Sequence, residues 1–258
     1  MPITGPWVHK KVLIVMRTYP TPARKGVEVS CTGGITDDGK WVRLFPVSYR
    51  FLTTDKRFRK YQWIAVRVAK SSDFRQESFE IDRDSIEILT EPLPTSNKWE
   101  VRKAVVYPLK AHCLCCLEAQ RKAEGTPTLG FFKPKNVRRF LIRKDEPNWS
   151  EEDLGRLSQY SLFENAPREP LEKIPYKFIY QLVCDEETCK GHHLSCVDWE
   201  LGESYRQWRR QYGDRWRWAI ENKYANELVY EKDLHFFVGT IRAHPASWII
   251  TGLFYPPK

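Results

Sequence analysis

A chain of 258 residues that is 41% apolar and 14% aromatic, with only 13 glycines, carries enough hydrophobic side chains for one large core or two smaller ones, which excludes a disordered polypeptide. Its 42 Lys and Arg against 33 Asp and Glu leave a net charge of +9, a bias toward polyanionic partners such as nucleic acid. No apolar run approaches the roughly eighteen residues of a membrane span, and MPITGPWVHKKVLIVMRTYP is too short in its apolar part for a secretory signal, so a cytoplasmic protein without a membrane partner is expected.

Taken in chain order, KVLIVMRTY (11–19) reads as a strand. VEVSCTGGIT and KWVRLFPV follow as a hairpin about the turn Asp37-Asp38-Gly39, a strong signal of its kind. A short helical segment is expected near Tyr49 to Phe58, then strands over YQWIAVRVA (61–69) and SFEIDRDSIEIL (78–89). Five strands with a small helix after the third is the order of an OB-type barrel. In W41-V-R43-L-F45, alternation puts Trp41, Arg43 and Phe45 on one face and Val42 and Leu44 on the other. The first face suits base stacking and phosphate contact; it suits equally a core face with Arg43 reaching out at its rim. A nucleic-acid site here would use Trp41, Arg43, Phe45 and Trp63 for stacking, with Arg17, Arg50 and Arg67 on phosphates.

Residues 93–128 read as a helical connector, with Pro108 as a start and Gly125 as a stop. Cys113 and Cys116 fall at i and i+3 on one helical face, as a second metal pair or as buried packing. Beyond Leu129, FFKPKNVRRFLIRK reads as a strand or a broken pair of strands, and Asn148 to Pro170 as a polar excursion. YKFIYQLVC (176–184) and LSCVDWE (194–200) then flank a loop, Cys184-x4-Cys189-x2-His192-x3-Cys196. Three thiols and two imidazoles in so short a stretch match the ligand density of a structural zinc site, and Gly191 can bend the backbone between Cys189 and His192. Cys184, Cys189, His192 and Cys196 are the expected zinc ligands, with His193 as substitute should Cys196 point into the barrel. Seven cysteines outside a secretory context fit reduced thiols better than a disulfide framework.

From Glu203, Tyr205, Trp208, Tyr212, Trp216, Ile220 and Tyr224 recur at helical spacing, a stripe that suits a core-facing helix breaking at Gly213-Asp214. Arg206, Arg209, Arg210 and Arg217 lie off the stripe. LHFFVGTI (234–241) and WIITGLFY (248–255) complete a second OB order with the helix between its third and fourth strands. The expected fold is therefore mainly β with helices (α+β): an N-terminal OB-like barrel over 1–92, the connector over 93–128, and a second barrel over 129–258 bearing the metal loop.

The motifs KVLIVMRTYPTP, C31-T-G-G-I with G39-K-W-V-R43-L-F-P46, D73-F-R75-Q-E77-S-F, L129-G-F-F-K-P-K, the Cys/His loop ending in DWE, and W248-I-I-T-G-L-F-Y-P-P together resemble the dual OB-containing domain family of bacteria and phages, over nearly the whole chain. That resemblance implies two nucleic-acid-type barrels in a prokaryotic or viral setting and adds no settled activity. Two function classes follow: a nucleic-acid-binding module, for single-stranded DNA or RNA, with a structural zinc; or a metal-dependent nuclease or other hydrolase in which Asp198 and Glu200 hold Mg2+ or Mn2+. No H-E-x-x-H, P-loop, G-x-S-x-G or zinc-deaminase signature supports the enzyme, and Asp198 with Glu200 equally suit the start of the helix as N-cap and first-turn acid.

Overall fold

The computed structural model of the protein describes residues 3–23, 27–159, 167 and 169–258. Two compact units form, one from Met1–Leu93 with Glu146–Pro175, the other from Pro94–Asp145 with Tyr176–Lys258. The segment after Leu93, read from sequence as a connector, thus packs within the second unit, and the polar excursion returns to the first. Of that excursion, residues 160–166 and 168 lie outside the described residues.

The first unit holds strands β1 (Val8–Arg17), β2 (Thr21–Pro22), β3 (Glu28–Thr36), β4 (Trp41–Val47), β5 (Trp63–Lys70), β6 (Ser78–Ile81) and β7 (Glu87–Ile88). Their order is β1-β3-β4-β6-β5, and β5 pairs back onto β1, which closes a five-stranded barrel. The β4–β6 pairing is parallel and the others along the ring are antiparallel. This is the OB order. β1 is long enough to serve both neighbours: Val8 to Leu13 pair with β5, and Val12 to Arg17 pair with β3.

Alternation fills the barrel as the sequence pattern demands, with Val12, Ile14, Val42, Leu44, Ile64, Val66 and Val68 facing inward. Each such burial contributes about 1.5–3 kcal/mol. Where a helix was expected after β4 there are two short 3-10 turns, Tyr49–Phe51 and Thr54–Lys56. Their neighbours Leu52 and Phe58 join the core, and the Tyr49 hydroxyl donates to the Phe58 carbonyl at 2.8 Å. Gly34 permits the close approach of β3 to β1, since a Cβ there would lie 2.6 Å from the Leu13 carbonyl. The run expected as one strand over 78–89 divides into β6 and β7, because Asp82 accepts from the Asp84 N–H and turns the chain through Arg83–Ser85.

The rest of the chain gives α1 (Ser96–Val106), β8 (Lys110–Ala111), α2 (Leu114–Glu124), β9 (Leu129–Phe132), β10 (Asn136–Lys144), α3 (Glu151–Leu157, in the first unit), β11 (Tyr176–Val183), β12 (His192–Cys196), α4 (Trp199–Tyr212), α5 (Trp216–Ile220), a π-helical stretch Glu221–Glu231, β13 (His235–Ile241) and β14 (His244–Phe254). Gly125, at φ 74°, ends α2.

The second sheet runs β10-β11-β12-β14-β13-β9-β8, with β12 parallel to β14. β9 and β10 are one strand interrupted at Lys133-Pro134-Lys135, where proline removes a ladder donor. β9 pairs with β13 and β10 with β11, the same division of labour that β1 performs unbroken. The long helical segment joins β12 to β13, the third and fourth strands in chain order from β9 when β9 and β10 are counted as one. It breaks at Gly213, and Tyr205, Trp216, Ile220 and Tyr224 of the aromatic stripe are buried. Tyr212 at the break is 36% exposed. Among the described residues no helix is long and apolar enough to cross a membrane.

Candidate metal centre

The hairpin β11–β12 and the start of α2 build the site. Cys184 follows the last residue of β11, the chain turns through Glu186–Cys189 with the Cys189 N–H bonded to the Glu186 carbonyl at 3.0 Å, and Gly191 takes φ 95°. That left-handed conformation favours glycine and brings His192 into β12 opposite Leu182. From α2, Cys115 reaches the same point. The Sγ atoms of Cys115, Cys184 and Cys189 and a ring nitrogen of His192 all lie within 4.8 Å of one another; the His192 Nε2 is 3.2 Å from the Cys115 Sγ. This cluster could hold a metal ion.

The donor chemistry fits. Ligands at about 2.0–2.3 Å from a tetrahedral zinc stand roughly 3.3–3.8 Å from each other, within the span of this group. The sulfurs accept backbone donors: Leu114 N–H to Cys184 Sγ and Cys184 N–H to Cys189 Sγ, each at 3.3 Å. Glu118, one turn beyond Cys115 on α2, places Oε1 3.5 Å from His192 Nδ1, the carboxylate–histidine pairing that turns Nε2 toward a metal. Burial, with contacts to Cys189 and Cys184, pushes the Cys115 thiol far up, and burial also raises Cys184. At Cys189 burial acts in the same direction but is outweighed by N–H bonds from Cys184 and Gly191, which hold it below the ordinary thiol range. Three adjacent thiols ionise together only with a cation among them. With four protein donors and no open position, the set suits a structural ion.

Three of the ligands expected from sequence, Cys184, Cys189 and His192, are therefore brought together, and the fourth donor is Cys115. Cys196 shares a face of β12 with His192 but is four residues on, about 13 Å along a strand. It is buried opposite Phe178. His193 points to the other face, where its Nε2 is 3.2 Å from Gln181 Nε2. Cys113 and Cys116, with Glu186, form a separate group beside the first, and a hydrogen bond with Cys113, together with burial, pushes Cys116 up to about 11.

Asp198 N-caps α4, its Oδ1 accepting from the N–H groups of Glu200 at 2.8 Å and Leu201 at 3.2 Å. Glu200 occupies the first turn of that helix.

In the first unit, Trp41 and Phe45 are half-buried on the outer face of β4. Arg43, expected on an open face, is only 3% exposed. The segment Asp73–Glu77 covers it: the Arg43 N–H donates to the Glu77 carbonyl at 2.7 Å, and Asp73 binds the Arg75 guanidinium through Nε at 2.9 Å and Nη2 at 2.5 Å. Burial, followed by repulsion from Arg75, lowers Arg43. Arg17 lays its guanidinium 3.5 Å from the Tyr49 ring centroid, Arg50 pairs with Glu28 at 3.1 Å and bonds the Glu169 carbonyl, and Arg67 is exposed and paired with Asp82. Trp63 is half-buried on β5.

Residues 8–108 match a domain of unknown function, DUF8758, and residues 110–258 match another, DUF8757. No curated protein matches the chain. Among solved structures, a murine DNA binding protein bound with double-stranded DNA aligns over 96% of this chain and 94% of its own at 9% identity and a TM-score of 0.34, a likeness too loose to carry an argument. The second match contains α2, the β11–β12 hairpin and all four donors of the cluster, and since it spans more than half of the sequence, the chain belongs to the DUF8757 family.

Proposed function

We propose that the protein is a nucleic-acid-binding module, for single-stranded DNA or RNA, in which a structural zinc held by Cys115, Cys184, Cys189 and His192 fastens α2 to the β11–β12 hairpin. The observation that supports binding is the closed barrel of OB order in a chain of net charge +9; such barrels offer outward aromatics for stacking beside basic side chains. The binding face is the outer surface of the first barrel. Trp41, Phe45 and Trp63 stack, and Arg17, Arg50 and Arg67 meet phosphate. Arg43 supports the face from beneath, through its contact with the 73–77 segment.

Zinc, when bound, supplies a cross-link between elements distant in sequence. Asp198, whose carboxylate caps α4, is left out of any catalytic role. Fluorescence anisotropy with labelled single-stranded and duplex oligonucleotides tests this reading. Single strands should bind with an affinity that falls steeply with salt, and Trp63→Ala and Arg67→Ala should each weaken binding several-fold while leaving the fold intact. Cleavage of these substrates in Mg2+ or Mn2+ that disappears in Asp198→Ala would overturn it in favour of a nuclease. Binding unaffected by either substitution but abolished by Arg209→Ala or Arg210→Ala would move the face to the long helical segment of the second unit.

A further inference from the structure

The sulfurs of Cys113 and Cys116 are 2.6 Å apart, well inside the roughly 3.5–4.0 Å of ordinary nonbonded contact. Two thiolates sharing one zinc stand about 3.7 Å apart, so this spacing does not suit a metal pair. Helical phase separates their roles from that of the residue between them. Positions 113 and 116 share one side of the first turn, whereas 115 points away, toward Cys184, Cys189 and His192. Cys113 is fully buried at the N-cap of α2, where its sulfur accepts the Cys116 N–H at 3.1 Å, while Cys116 is half-buried.

We propose that Cys113 and Cys116 are a redox-active dithiol that closes to an intramolecular disulfide beside the metal centre without consuming any of its ligands. The oxidant is a low-molecular-weight disulfide, RSSR. Cys116, the more accessible sulfur, attacks one sulfur of RSSR and expels RS−, giving a mixed disulfide. Cys113 then attacks the Cys116 sulfur and expels the second RS−. One S–S bond forms in the protein, the one in RSSR is broken, two electrons pass from the cysteines to the oxidant, and the two thiol protons end on two RSH. Closure requires the sulfurs to approach by only about 0.6 Å, to the usual 2.03–2.05 Å.

The test incubates the purified full chain with excess glutathione disulfide at alkaline pH until the count of free thiols is constant. Free thiols are then alkylated after denaturation in chelator, and the tryptic peptide Ala111–Arg121, which carries all three thiols of the Cys-Leu-Cys-Cys run, is fragmented. The expected result is a loss of two alkylatable thiols per chain, a peptide lighter by two hydrogens with a single alkyl group on Cys115, and no change in bound metal. Persistent alkylation of both Cys113 and Cys116, a stable glutathione adduct on Cys116 without closure, or a disulfide that includes Cys115 would each overturn the proposal. So would loss of bound metal in a Cys113→Ser, Cys116→Ser variant that still folds by circular dichroism, because it would make the pair ligands. The oxidation readout needs no variant.

Discussion

Arg43 shows what alternation in a single strand can and cannot report. The faces of β4 were legible, since Val42 and Leu44 are core and Trp41, Arg43 and Phe45 point the other way. What covers Arg43 was not legible, because the 73–77 segment lies some thirty residues on and nothing in a strand's period encodes a loop folded over its outer face. The Asp73–Arg75 pair in that cover is almost fully buried. Removing one partner of a buried pair costs about 3–5 kcal/mol, and Asp73→Asn should destabilise the first unit on that order in urea denaturation. Burial alone would raise Asp73, but the Arg75 guanidinium holds it below the ordinary carboxylate range. Its contribution is therefore complete above about pH 4 and is lost as pH falls through the depressed native value, because the unfolded chain takes up the proton first. Asp73→Asn should flatten this part of the acid limb. Asp198→Ala, by contrast, removes a cap and should cost about 1 kcal/mol.

At the scale of elements, the hairpin announced itself and its partner did not. Cys184, Cys189, His192 and the turn at Gly191 lie within one short loop, whereas Cys115 precedes His192 by 77 residues, a contact that only the packing of α2 creates. Its signal was three cysteines within positions 113–116 followed by Glu118: one thiol facing away from the other two, with a carboxylate one turn on. The interrupted strand at Pro134, the helix break at Gly213 and the end of α2 at Gly125 were legible because proline and glycine act locally. The π-helical stretch 221–231 had no such marker. Glu118→Gln tests the outer shell. It keeps the size of the side chain but weakens the acceptor facing His192 Nδ1, and metal affinity measured by chelator competition should fall about 10–100-fold.

At the scale of the molecule, the candidate metal centre lies within one unit only. Binding free energy that accrues to the folded form alone is stability. Chelation should speed hydrogen exchange in α2, β11 and β12, with β1 to β5 unchanged; a uniform rise across both units would assign the ion a different role. The measurement that bears most directly on this account is the metal content of chains purified without chelator. Wild type and Cys196→Ala should each carry about one zinc, while Cys115→Ser should carry little or none and show faster exchange at β12. Zinc retained in a folded Cys115→Ser protein and lost from a folded Cys196→Ala protein would contradict the assignment.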